Sequence, residues 1–378
     1  MKQAVVIHPR FTNYGGAEII ALHIIKTLQD LDFDVSIVTD NYNPAEIERN
    51  YRMGKILENV KPILVPPFKP VLSRFLALQH LRYSKRVMRV LRGLQPNIAF
   101  STQSVIYSVP NVKTFQIVYD MADLFEIVPE GGPLSSVWKK PYYRLLRQTT
   151  GPKRLQDSYF VPLSQALEKR LDRLGLPHSP VVFPPCDMIF EYRPKKPQVC
   201  LVTRIAPQKN VAEFFQIAEH LQGYRFILVG AEADKDPTYA RTILGKKPSN
   251  VVYIEARIRD RPEVVEESKV YLYTSREPGI GIALGQAMGG GCIPIVPATG
   301  GGAEMVAYSG VGYTYGSIDE AVHIVKTVMD GKDARNDPID ISKKAQVFSS
   351  ENFHRRIMDI VNRESDLGQI RETVGTST

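Results

Sequence analysis

The feature that most restricts the fold is a pair of successive series in which short apolar, β-branched runs alternate with helix-spaced segments. In the first half the runs are 3–8 (QAVVIH), 33–39 (FDVSIVT), 62–65 (PILV), 97–101 (NIAFS), 114–119 (TFQIVY) and 158–163. Runs that stay apolar without alternating predict strands buried on both faces, the condition of a parallel sheet. Residues 17–31 place Ile20, Ile24, Ile25 and Leu28 on one helical face, and 165–174 is a second helical pattern. A second series follows: VCLVTR (199–204), a helix over 211–221, then RFILVG (225–230), NVVYIE (250–255), KVYLYTS (269–275) and CIPIVPA (292–298). Two βα series predict an α/β chain with two doubly wound parallel sheets.

Length agrees, because 378 residues with 43% hydrophobic and 23% charged residues exceed one ordinary core. The proline- and charge-rich segment 181–198 marks the junction. The expected domains are 1–190, completed by a C-terminal helix over 350–363, and 191–349, with 364–378 as a flexible tail. Ser349 or Ser350 caps that helix and Glu351 lies in its first turn.

No stretch approaches the roughly 20 apolar residues that span a bilayer, and the start enters a strand pattern directly. The expectation is a cytoplasmic protein, peripheral at most on the cytoplasmic face of a membrane. Cys186, Cys200 and Cys292 are far apart and form no CxxC pair, so neither a disulfide framework nor a zinc site is proposed. A net charge of +8 favours anionic partners. Residues 73–94 carry Arg74, Arg82, Lys85, Arg86, Arg89 and Arg92 without an acid, interleaved with apolar residues, and 139–154 is a further basic stretch. Such a basic amphipathic helix either docks on an anionic membrane surface or is a solvated face. Nucleic acid is not an expected partner, since no interleaved platform of aromatic and basic residues occurs. A homodimer is left open.

Ligands of open α/β sheets bind beyond the carboxyl ends of strands, so the chemistry is sought in the loops there. In the loop PRFTNYGGAEII, Gly15 and Gly16 either let backbone approach a ligand at a helix start or form a plain turn. In TRIAPQKN, Arg204 ends a strand and Lys209 precedes a helix. An anion between them would relieve their repulsion, and a solvated surface pair is the alternative. In SREPGIGIALGQAMGGG, Glu277 is followed by glycines and a helix start; its carboxylate suits sugar hydroxyls and the amides suit phosphate or ring oxygens. In ATGGGAEMV, Glu304 either reaches ribose hydroxyls or caps a helix. Asp234-Lys235-Asp236 forms a DxD in a charged loop and is not read as a cation site.

In order along the chain, GGAE, VVFPPCD, TRIAPQKN, EPGIG…QAMGGGCIPIV, TGGGAEMV and SSENF resemble glycosyltransferase family 4. The resemblance implies the GT-B fold, two Rossmann-like domains facing across a cleft, and a retaining transfer of a hexose from a nucleoside diphosphate sugar to a glycan or lipid-linked acceptor. VVFPPCD, MGGGCIP and GIG are most similar to the mannosyltransferase branch of lipid-linked oligosaccharide assembly, which implies GDP-mannose. By the same resemblance Gly15 and Gly16 face the donor diphosphate, and Arg204 and Lys209 bind it. Glu277 holds sugar hydroxyls; Gly279, Ile280, Gly281 and Ile282 present backbone; Glu304 lies near the nucleotide.

Two departures stand out. The family's second glutamate, spaced E-x7-E, is Gly285 here, so a ribose contact falls to Gln286. The histidine after the fifth strand is absent, leaving Tyr119 or Asp120 on the acceptor side or as strand-end packing. Transfer needs a fixed positive environment for the leaving phosphate, which Arg204, Lys209 and a helix start supply without metal or cofactor. A sugar-nucleotide epimerase or phosphorylase on the same scaffold is the rival expectation, and a basic nucleic-acid-binding protein a lesser one.

Overall fold

In the computed structural model the described residues are 2–11, 15–66, 76–102, 107, 109–119, 158–187, 193–231, 237–256, 263–277, 279–333 and 336–375. The chain divides into one unit of Met1–Val182 with His354–Thr378 and a second of Phe183–Phe353.

In the first unit the apolar runs pair into a parallel six-stranded sheet ordered β3-β2-β1-β4-β5-β6. These strands are β1 (Gln3–Ile7), β2 (Asp34–Thr39), β3 (Lys61–Leu64), β4 (Ile98–Ser101), β5 (Lys113–Val118) and β6 (Ser158–Pro162). The central strands β1, β4 and β5 are buried almost throughout. β3 is an edge, and Pro62, which has no N–H for a ladder, is tolerated there. Helix Gly16–Asp30 buries Ile20, Ala21, Leu22, Ile24, Ile25 and Leu28, so it is enclosed on most of its circumference. Helix Leu76–Leu94 packs Tyr83, Val87, Met88 and Leu91 into the core with Val5, Ile7, Val38 and Ala99. Burial of Val87, Met88 and Leu91 contributes about 1.5–3 kcal/mol each.

The second unit holds another parallel six-stranded sheet, ordered β12-β11-β10-β7-β8-β9. Its strands are β7 (Lys196–Val202), β8 (Arg225–Gly230), β9 (Val251–Glu255), β10 (Ser268–Leu272), β11 (Ile293–Pro297) and β12 (Tyr313–Tyr315). The expected α/β architecture of two doubly wound parallel sheets is what forms. β12 was not expected: YTY is a short polar and aromatic run, and it becomes a strand by pairing with β11 at the sheet edge.

The final helix runs Ser350–Gly375, through most of the stretch expected to be a tail. Ser349 Oγ caps it by accepting from the Asn352 N–H at 3.2 Å. The extension contains no proline and is rich in Glu, Asp, Arg and Gln, residues that support or tolerate helix. Within the first unit His354 Nε2 meets His23 Nδ1 at 2.8 Å, and Glu364 pairs with Lys113 at 2.5 Å. Among the described residues no helix is long and apolar enough to cross a membrane.

Candidate functional site

In the second sheet β7 lies between β10 and β8, so the chain order reverses between β7 and β10. Loops beyond the carboxyl ends of these two strands therefore flank a topological switch point. After β7 the Thr203 N–H donates to Val229 O at 2.9 Å and the Ile205 N–H to Ala231 O at 3.0 Å. Arg204, between them, is exposed and pairs with no acid among the described residues. A 3-10 turn, Pro207–Lys209, follows and ends at Asn210, whose φ of 51° lies in the left-handed region that asparagine tolerates. Helix Val211–Glu219 starts there.

The loop after β10 is laced to this one by successive side chains. Thr274 Oγ1 donates to Lys209 O at 2.8 Å, Ser275 Oγ to Gln208 O at 3.2 Å, and Arg276 forms a two-pronged bridge to Glu213 at 2.6 and 3.1 Å. Lys209 Nζ then forms an ion pair with Glu277 Oε2. The Lys209 side chain is 21% exposed and that of Glu277 42%, so the pair stands at the rim of the sheet within reach of solvent.

The third loop closes on the same place. Gly301 N–H donates to Glu277 O at 2.8 Å. A Cβ at Gly301 would lie 2.2 Å from Gly279 O, and Gly300 takes φ +89° with Arg276 and Glu277 backbone about its α-carbon. Only glycine allows the chain after β11 to run this close to the chain after Glu277. Gly281 caps helix Ile282–Gly289 and Gly300 caps helix Gly301–Ser309. The first amides of each helix lack intrahelical acceptors and suit an anion or a polar ligand. Gly279 is exposed, while Ile280, Gly281, Ile282, Gln286 and Glu304 are half-buried, Glu304 in the first turn of its helix.

Thus Lys209 and Glu277 meet, and Gly279, Ile280, Gly281 and Ile282 continue from them. Arg204 shares a loop with Lys209 but not its ion pair.

In the first unit Gly15 caps helix Gly16–Asp30, and its N–H donates to Glu18 Oε2 at 3.0 Å. Tyr119 follows β5 with its hydroxyl buried. Burial first, and the Glu18 carboxylate second, push the ionisation of that hydroxyl up. Asp120, residues 139–154 and Asp234-Lys235-Asp236 lie outside the described residues. His8, beyond β1, was not singled out from the sequence. Its Nδ1 meets Thr102 Oγ1 at 2.8 Å, its Nε2 faces Arg10 O at 3.0 Å, and burial lowers its pKa to about 4. Also missed were Glu213, Arg276 and Tyr315; the available signal was an acid three residues beyond Asn210 in a helix that is otherwise largely apolar. Among the described residues no group of three or more His, Cys, Asp or Glu is arranged to hold a metal.

Residues 189–345 match the family described as Glycosyl transferases group 1. That segment contains all three loops of the switch point, and the match supports a glycosyltransferase. No curated protein matches the sequence. Among solved structures, Anabaena Alr3699/HepE in complex with UDP is similar at a TM-score of 0.70 and 15% identity, over 96% of this chain and 100% of that one. The lipopolysaccharide glycosyltransferase WaaG gives 0.66 and 13%, over 94% and 99%. The lipopolysaccharide outer core galactosyltransferase WaaB gives 0.66 and 17%, over 96% and 100%. The architecture is GT-B.

Proposed function

We propose that the protein is a retaining glycosyltransferase that moves a hexose from a nucleoside diphosphate sugar, GDP-mannose by its motifs, to a glycan or lipid-linked acceptor. The observation that carries this reading is the Lys209–Glu277 pair beside two glycine-capped helix starts at the switch point of the second sheet. A diphosphate offers Lys209 an anion and a hexose offers Glu277 hydroxyl donors, so one donor molecule satisfies both partners. As the bond from C1 to the phosphate oxygen breaks, positive charge spreads over the ring and negative charge grows on the leaving phosphate. Lys209, Arg204 and the helix amides are fixed dipoles and charges for that phosphate, so no metal is required. The acceptor hydroxyl attacks C1 from the leaving-group face and its proton passes to the departing phosphate. Gly15 and Gly16 are assigned to the donor diphosphate, and Tyr119 or Asp120 to the acceptor. Gln286 and Glu304 are assigned to the nucleoside.

Calorimetric titration with GDP-mannose, UDP-glucose and UDP-N-acetylglucosamine side by side tests the donor. GDP-mannose is expected to bind most tightly. Preference for a uridine donor, as in the HepE complex with UDP-glucose, overturns the mannose assignment, and binding of none overturns the nucleotide-sugar reading. Labelled donor converted to an epimer or sugar phosphate, with no transferred sugar, would instead indicate the rival chemistry.

A lipid-linked acceptor fits the cationic face of helix Leu76–Leu94, where Arg82, Lys85, Arg86, Arg89 and Arg92 are all exposed opposite the buried Tyr83, Val87, Met88 and Leu91. Attraction to an anionic leaflet is worth about 1 kcal/mol per cation near the surface. Replacing Arg82, Lys85, Arg86 and Arg89 by glutamine is expected to abolish sedimentation with vesicles containing phosphatidylserine. Sedimentation equal to wild type sinks the docking idea.

A further inference from the structure

Glu213 is an acid on a helix whose buried residues are otherwise Val211, Phe214, Phe215, Ile217 and Ala218. Its side chain is 9% exposed. An ionised carboxylate there is costly to desolvate unless every lone pair is engaged, and here all are. Oε1 accepts from Arg276 Nη2 at 3.1 Å and from the Tyr315 hydroxyl at 2.6 Å. Oε2 accepts from Arg276 Nη1 at 2.6 Å and from Asn210 Nδ2 at 2.6 Å. The donors come from separate segments: the residue that starts the helix, the loop after β10, and β12. The helix start adds its own dipole in favour of the charge.

This clamp acts on the residues either side of it in the site. Asn210 follows Lys209 and Arg276 precedes Glu277, so one carboxylate holds the neighbours of both members of the ion pair. Tyr315 is braced in turn, its hydroxyl lying 3.2 Å from Tyr273 O. A leucine or phenylalanine at 213 would satisfy the apolar helix face without this expense. An acid engaged on all sides therefore points to a geometric requirement at the loops.

We infer that Glu213 is a positioning residue: through Arg276 and Asn210 it sets the separation and orientation of Lys209 and Glu277. The consequence for catalysis rests on the donor reading above; the positional claim does not. Neither claim makes Glu213 a group that touches substrate.

The test uses the full chain with its lysines 13C-dimethylated, the Lys209 resonance being assigned with Lys209→Arg. In wild type this resonance should be displaced from those of exposed lysines by the Glu277 carboxylate, and in Glu277→Gln it should return to their position. Glu213→Gln keeps the shape but removes the charge and one acceptor, and it should shift the Lys209 resonance most of the way to the Glu277→Gln position. A resonance unmoved in a folded Glu213→Gln protein overturns the proposal. Should that variant fail to fold, Arg276→Gln, at a side chain 43% exposed, takes its place with the same expected shift and the same refuting result. If the titrations identify a donor, Glu213→Gln should lower kcat/KM at least tenfold, and Glu213→Gln with Glu277→Gln should fall within about twofold of Glu277→Gln alone. Independent, multiplying losses would mean that Glu213 only supports the fold. A chain that binds no nucleotide sugar removes the donor reading, while the resonance still decides the positional claim.

Discussion

Alanine at Lys209 or at Glu277 is expected to lower kcat/KM for sugar transfer at least tenfold, about 1.4 kcal/mol of transition-state stabilisation, without unfolding the protein. The two parts of this expectation have different origins. The pair is partly exposed, with side chains 21% and 42% accessible. Ion pairs in such surroundings contribute about 0–1 kcal/mol to folding, so the melting temperature should move little. In the proposed reaction the same groups would face charge that is still developing, where a preorganised donor is worth several-fold more than it is in the resting protein. Lys209→Ala should act mainly on kcat, because the charge on the leaving phosphate is largest in the transition state. Glu277→Ala should raise KM as well, because sugar hydroxyls are bound before the bond breaks. Steady-state kinetics on each variant, with thermal melts as the control for folding, checks both. Wild-type rates in both variants would refute the assignments.

Much of this site was legible from residue order, for a stated reason. In a doubly wound sheet strands are apolar runs, and whatever follows their carboxyl ends lies at the rim, so Lys209 and Glu277 could be picked as rim residues of two strands. Their direct pairing could not. Spacing predicts that each is near the rim, whereas the contact depends on β7 and β10 being neighbours, which is set by sheet order. The expectation that Arg204 and Lys209 share one anion came from their places on one loop. It did not anticipate that Lys209 would already have an acid partner while Arg204 stands exposed. Glu213 and Arg276 were missed for a related reason: 63 positions apart, they are brought together only by the packing of a helix start against a neighbouring loop. β12 escaped because a three-residue edge strand has neither the length nor the apolar character of the buried runs.

The departure at Gly285 leads to the second large effect. Gly285→Glu, which restores the E-x7-E spacing, is expected to destabilise the protein by several kcal/mol and to gain no donor affinity. A Cβ at this position would lie 2.4 Å from Cys186 Sγ, 3.2 Å from Cys186 Cβ and 3.3 Å from Met305 Cε, so the side chain would start inside occupied space. Cys186 cannot easily retreat, because its N–H donates to Phe348 O at 2.9 Å and it is fully buried. The carboxylate would also have to leave a crowded, largely apolar pocket to reach water, adding a desolvation cost to overpacking of about 1–3 kcal/mol. Gly285→Ala separates these terms. In an open helix it would gain about 1 kcal/mol of propensity, yet here it should lower the melting temperature because the clash outweighs that gain. Cys186→Ala in the same chain removes the sulfur and should recover most of the loss. A Gly285→Ala protein as stable as wild type would show that the space is not limiting. The glycine would then need another cause than the cysteine packed against it.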